Sequence, residues 1–412
     1  MAFHKQTVRG IELEGKTVLM RADYNVPLKS DGSIADDYRL RQSLPTLEYL
    51  LDHNCTVVIC SHLGRPAGKP DKKLSLEPIA QHLANLLHKP VHFVPECIGD
   101  RVKQTIKNIH KPAILLLENL RFHAEEEQNN ADFARQLATD SLAHYFIQDG
   151  FGVVHRAHAS TDRITQFLPS VAGLLLEKEV TLLESVRDNP KRPLAVVLGG
   201  AKVSDKIKVV EHFAKTADTV VIGGAMANNF FAWQGYNIGK SKLEPGQQAV
   251  IERVARLVCS DLHDHRMCLH NNQKIYLPSD VATAKVVGET ARRVNKPVDQ
   301  LAEDDLILDM GDQSIEHMLA RLEGAKTVLW SGTLGVSELP NFAHGSARLC
   351  LWLAQHKTEV TSVVGGGDTA DFVLHWDAAH GQSFSHISTG GSACLELLAG
   401  QELPGVAALL SR

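Results

Sequence analysis

The chain has 412 residues, with 44% apolar and 22% charged residues and a net charge of −5. That length exceeds one ordinary core and predicts two or three domains, while the charge leaves no global basic field for nucleic acid. The sequence has no apolar run of membrane-spanning length and no signal-peptide core in MAFHKQTVRG; its seven scattered cysteines include no C-x-x-C pair. These features argue against a membrane span, a disulfide framework and structural zinc, and they predict a cytoplasmic protein.

Taken in order, one pattern recurs: a short apolar strand, a loop rich in polar residues or glycine, then helical periodicity. This predicts α/β architecture with parallel sheets covered by helices. In the first half the strands fall at 17–20, 56–60, 114–117 and about 145–147, and their loops read RADYNVP, SHLGRP, ENLRFHAEEE and QDGFGVVHRAHAS. A helical pattern from about 172 to 187 ends at Asp188, Asn189 and Pro190, which suits a link between two lobes. In the second half the strands fall at 194–198, 219–222, 327–330 and 361–364, followed by GGAKVSDK, GGAMANN, SGTLGVSE and GGGDTAD.

The two halves differ in chemistry. First-half strands lead into arginine and histidine, and second-half strands lead into glycine. Ligands of open α/β sheets bind beyond the carboxyl ends of the strands. Forked guanidinium groups suit a small, highly charged acid, and glycine admits close approach of phosphate or a flat base. Two such halves have the form of a phosphotransferase.

The stretch 193–213, PLAVVLGGAKVSDKIKVVEHF, concentrates this signal. An apolar run ends at Gly199 and Gly200, and Val203, Ile207, Val210 and Ala214 then continue at helical spacing. Lys202 and Lys206, four residues apart, are predicted to share one helical face above free backbone N–H groups, an arrangement suited to a polyphosphate. An ordinary βα turn with solvated lysines reads the same way.

The motifs VLMRADYNVPL, SHLGRP, LLENLRFHAEEE, FGVVHRAHAS, LGGAKVSDKI, IGGAMANNF, LPSDVATA, VVGGGDTA and FSHISTGGSACLELLAGQELPGV follow one another from about 17 to 408. Together they resemble the phosphoglycerate kinase family. The resemblance implies reversible, Mg2+-dependent phosphoryl transfer between 1,3-bisphosphoglycerate and ADP, giving 3-phosphoglycerate and ATP in glycolysis. It also implies two Rossmann-like three-layer lobes joined by a long helix, hinge closure, and a monomer without nucleic acid or membrane partners. The expected boundaries are an acid-substrate lobe at 1–172, a linking helix at 173–192, a nucleotide lobe at 193–395 and a tail at 396–412 that returns to the first lobe.

Carried over residue by residue, Asp23 and Asn25 look like the pair that holds the substrate's hydroxyl and carboxylate region. Arg39, Arg121 and Arg156, with His62, Leu63, Gly64 and Arg65 of SHLGRP, look like the surroundings of its phosphate and carboxylate. Gly200, Lys202, Lys206, Gly223, Gly224, Gly366, Gly367, Asp368 and Thr369 look like the nucleotide-phosphate site, with Asp368 toward Mg2+ and Glu338 on the ribose. Gly390 and Gly391 look like a helix start aimed at the moving phosphoryl group, and Arg39 and Lys202 look like its transition-state stabilisers. Neither a nucleophilic serine or cysteine nor a general base is expected, because the acceptor carboxylate is already charged.

The sequence departs from the family pattern at Ser331 and Thr333 (SGTLG for NGPMG), Ala225, Ser392, Val153 and Val154. Most of these lie on or near the nucleotide lobe, so they bear on nucleotide affinity and purine preference rather than on the acid site. Other classes fit less well. A NAD-dependent dehydrogenase lacks its G-x-G-x-x-G with a later acid, and GYNIGKS falls one residue short of a P-loop. A non-catalytic scaffold that keeps the fold is separated from the kinase by turnover.

Overall fold

The structure, a computed structural model, describes residues 3–259, 269, 272 and 274–412. The chain forms two compact units: one takes the residues up to Glu184 together with Gly400–Arg412, and the other is Ser185–Ala399.

The first unit is built on β1 (Thr17–Arg21), β2 (Thr56–Cys60), β3 (Val91–Val94), β4 (Ala113–Leu117), β5 (Tyr145–Gln148) and β6 (Ser170–Ala172). They pair in parallel in the order β3-β4-β2-β1-β5-β6. Alternate residues supply two separate cores. Val18, Met20, Val57, Ile59, Ile114 and Leu116 pack into one, while Leu19, Val58, Cys60, Leu115 and Leu117 pack into the other. A strand buried on both faces must be apolar throughout, which is why these runs stand out in the sequence.

The second unit is also built on six parallel strands, in a different order: β7 (Leu194–Leu198), β8 (Thr219–Ile222) and β9 (Ile275–Tyr276), then β13 (Thr327–Ser331), β14 (Thr361–Gly365) and β15 (His386–Ile387). Their order is β15-β14-β13-β7-β8-β9, again parallel. Between them lies an antiparallel sheet of β10 (Asp280–Ala284), β11 (Val294–Pro297) and β12 (Leu306–Met310), which the strand pattern did not anticipate.

The chain order reverses beside β1 in the first sheet and between β7 and β13 in the second. Those are the switch points where an open α/β sheet leaves a crevice.

The expected long helix is Leu174–Asp188; Ala172 instead closes β6. Its start is fixed by Asp149, whose Oδ1 accepts from the N–H groups of Leu175 and Leu176 at 3.0 and 3.4 Å. The tail joins the first unit: Lys5 Nζ donates to the Ala407 and Leu409 carbonyls at 2.6 and 2.9 Å, and the Gly405 N–H to Val154 O at 2.9 Å.

Two expectations are corrected. Cys55, Cys60, Cys97, Cys350 and Cys394 are buried thiols outside any disulfide, but Cys259 is disulfide-bonded. The helix after β7 begins at Ile207, not near Val203, because turns occupy the residues between. Among the described residues no helix is long and apolar enough to cross a membrane.

Candidate active site

In the first unit the cluster grows from strand ends at the switch point. Asp23 follows β1, and its Oδ2 accepts from Arg39 Nη1 at 2.8 Å. The same nitrogen donates to Asn25 O at 3.2 Å, so Arg39, near the start of the helix Tyr38–Asp52, is aimed at the loop after β1. Asn25 Oδ1 accepts from the Gly64 N–H at 2.8 Å, and Gly64 O accepts from Arg121 Nη1 at 2.8 Å. Gly64 has φ +64°, and a Cβ there would lie 2.7 Å from the Leu74 side chain, so glycine is required for this link. Leu63 is buried, and its carbonyl accepts from Asn119 Nδ2 at 2.7 Å.

His62, at the end of β2, is 3% exposed. Burial first, then the charges of Arg21, Arg121, Arg39 and His158, hold its imidazole well below the ordinary histidine pKa. Burial and neighbouring arginines also pull His155 and His158 down to about 4. The positive charge of the cluster therefore resides on guanidinium groups. Arg156 Nε meets His155 Nε2 at 3.0 Å, and the Arg156 charge reaches Arg121. Arg65 is exposed and makes no hydrogen bond or ion pair among the described residues.

The sequence did not single out Arg21, Ser160 and Glu126. Arg21 Nε donates to Ser160 Oγ at 2.8 Å, and Ser160 Oγ donates to Glu126 Oε1 at 2.5 Å, all three buried. The available signal was a charged residue closing an apolar strand.

In the second unit, the loops leaving β7 and β13 press together. A Cβ at Gly199 would lie 2.3 Å from Thr333 O, and one at Gly224 would lie 2.7 Å from both Gly200 N and Thr333 O. Beside them opens a cavity of about 430 Å³ lined by Gly200, Gly224, Ala225, Thr333, Glu338 and Asp368, with apolar walls from Phe231, Val281, Leu308 and Leu334. Concave, mostly apolar walls with a few polar groups suit a ligand with a flat hydrophobic part.

Gly223 is packed against Leu334 and does not line the cavity. Gly366 (φ +94°) precedes the helix Gly367–Trp376, whose first turn carries exposed Asp368. Thr369 is buried, and its hydroxyl accepts from the Gly332 N–H at 2.7 Å, so it ties two loops together. Gly390 and Gly391 precede the short helix Ser392–Leu398, which packs on the end of β14 through Cys394.

The two lysines do not share a face. Lys202 is exposed, whereas Lys206 turns inward, its Nζ donating to Gly199 O at 2.7 Å and Ser331 O at 3.1 Å. Burial brings the Lys206 pKa down to about 8. The expected free N–H groups are also partly taken: Glu244 Oε2 accepts from Val203 N at 2.6 Å and Ser204 N at 3.0 Å. Glu244 lies some forty residues along the chain, beyond the reach of local pattern. The Ser331 hydroxyl, at a departure from the family pattern, is buried without a hydrogen-bond partner among the described residues.

Asp368 fits a cation site of a particular kind. Among the described residues no three His, Cys, Asp or Glu side chains cluster as metal ligands, so a cation at Asp368 would take its other ligands from phosphate and water, as Mg2+ commonly does.

The family profile described as phosphoglycerate kinase matches residues 8–401. A phosphoglycerate kinase of Pelotomaculum thermopropionicum is 42% identical over 408 residues, covering 99% of this chain and 100% of that one. That of Aquifex aeolicus is 42% identical over 401 residues, covering 97% of each. The solved phosphoglycerate kinase of Coxiella burnetii superposes with a TM-score of 0.81 at 33% identity over 98% of both chains. That of Pyrococcus horikoshii gives 0.82 at 29% identity over the same shares. On this evidence the chain belongs to the phosphoglycerate kinase family.

Proposed function

We propose that the chain catalyses reversible phosphoryl transfer between 1,3-bisphosphoglycerate and ADP, giving 3-phosphoglycerate and ATP. It is a phosphotransferase with a carboxyl acceptor. The observation that carries this reading is the presence of two unlike sites, one at the switch point of each sheet: an arginine cluster around Asp23 and Asn25, and a glycine-lined cavity bearing Glu338 and Asp368.

The arginines bind and orient the acid, and Arg39, held by Asp23, presents a guanidinium to the developing charge. The cavity takes the nucleoside, with Glu338 on the ribose. Lys202, exposed on the same loop, is free to follow the phosphoryl group, while Lys206 holds the loop ends and the neighbouring phosphates. The backbone around Gly390 and Gly391 completes the donor set. Mg2+ bound at Asp368 would neutralise phosphate charge. Transfer through a loose, in-line transition state needs positioning and cationic stabilisation and no nucleophilic side chain. A monomer acting in the cytoplasm is the proposed setting.

The test is 3-phosphoglycerate-dependent formation of ADP from ATP, with Mg2+, by the purified protein. Turnover that requires all three supports the reading, and a folded protein without turnover favours a scaffold.

A further inference from the structure

Arg21 closes β1 beneath the arginine cluster and is 1% exposed. A guanidinium has five N–H donors, no acceptor, and does not lose its proton in proteins. Its Nε donates to Ser160 Oγ at 2.8 Å, Nη1 donates to the Ala22 carbonyl, and Nη2 faces His62 Nδ1 at 3.2 Å. A group that can only donate requires an acceptor opposite, so His62 Nδ1 carries no proton. A neutral imidazole then keeps its single proton on Nε2.

The orientation of Arg21 has its own support. Ser160 Oγ, which accepts from Arg21, donates to Glu126 Oε1 at 2.5 Å, and the Ser160 N–H donates to Oε2 at 3.0 Å. Glu126 is fully buried and sits within the field of Arg21, serving as its countercharge. The chain Glu126–Ser160–Arg21–His62 thus runs from the helix Ala124–Glu127 through the loop after β5 and the end of β1 to the end of β2.

We propose that Arg21, braced through Ser160 on Glu126, is a positioning residue that locks His62 in its neutral Nε2–H tautomer, so that His62 offers the acid substrate a hydrogen bond and not a positive charge. Four other groups face His62. Arg39 on the helix Tyr38–Asp52 and Arg121 after β4 oppose its protonation, and His158 after β5, itself lowered to about 4, does so only where it is charged. Asp23 Oδ1 favours it from 3.9 Å, but the Asp23 carboxylate is already paired with Arg39 at 2.8 Å. With Arg21 in place, acid binding carries no titration of His62 near neutral pH.

This deepens the acid-site reading and rests on it, but the tautomer is read on ligand-free protein and is decided independently of substrate. The experiment is long-range 1H–15N NMR of the histidine rings, with the His62 signals assigned by comparison with His62→Gln. The expected result is an unprotonated Nδ1 and a protonated Nε2, unchanged from about pH 6 to about pH 8. An Nδ1–H tautomer, or a titration in that range, observed on the parent protein overturns the proposal.

In Arg21→Met, His62 is expected to titrate in that window. The KM for 3-phosphoglycerate should then fall roughly 3- to 10-fold toward the acid end, as a new charge-assisted contact forms, while the pH profile of kcat keeps its shape. Ser160→Ala, which keeps the charge but removes the brace, should give a mixture of tautomers. Retention of one pH-invariant Nε2–H tautomer in Arg21→Met overturns the role given to Arg21. If the tautomer is as expected but 3-phosphoglycerate does not bind, the functional reading fails and the tautomer assignment stands.

Discussion

Lys206 is 9% exposed, its ammonium held by two strand-end carbonyls and its pKa brought down to about 8 by burial. A lysine whose folded pKa lies below its unfolded value is charged in the folded state at a cost. Between its folded and unfolded pKa values stability rises with pH, and below about 8 the full penalty is present. Lys206→Met is therefore expected to raise Tm by about 1–2 °C at neutral pH, the scale of about 1 kcal/mol in a chain this long. The gain should shrink toward strongly alkaline pH while activity is lost, and thermal unfolding across pH checks it. Lys202 is exposed and free to follow the reacting group. Lys202→Ala should lower kcat about 10²–10³-fold with little change in KM, and the reverse pattern in steady-state kinetics would assign it to ground-state binding. Both lysines were visible in the sequence, but their difference was not. It depends on where Gly199, Gly200 and the loop after β13 meet, which is a tertiary fact.

The element scale shows why some of the fold was legible. β1, β2, β4, β7 and β13 are buried at every position, so each reads as an unbroken apolar run between polar loops. β3 is an edge strand with exposed His92, and β11 is mostly exposed and ends in Pro297, so neither carries that signal. The helix Leu174–Asp188 was legible from its periodicity, but its start was not, because it is set by Asp149 across space. Asp149 is buried, and desolvation raises its pKa to about 7. A carboxyl group whose folded pKa is raised contributes stability that is complete below its unfolded pKa and is lost as pH rises through about 7. Asp149→Asn, which still offers the helix an acceptor, should therefore be more stable than the parent at pH about 8 and lose that advantage by pH about 4. Denaturant unfolding at the two pH values decides it.

At the scale of the molecule, two parallel six-stranded sheets of different strand order carry opposite loop chemistry. Each sheet has a switch point beside its first strand, and the residues leaving the strands there are charged in one unit and bare in the other. That contrast was visible because residue type survives in sequence even where geometry does not. The braces behind each site were less visible. Glu126 and Ser160 behind Arg21, and Glu244 behind the loop after β7, act across the fold on residues far from them in the chain. The departures at Ala225 and Thr333 line the cavity, so they bear directly on which nucleotide it favours.

The division of labour between the units is tested most directly by titrating 3-phosphoglycerate and Mg2+–ADP separately into the parent protein, Arg39→Ala and Asp368→Ala. Arg39→Ala is predicted to weaken only the acid and Asp368→Ala only the nucleotide, the retained ligand showing that each variant is folded. Loss of the same ligand in both variants, or of neither, would contradict the account.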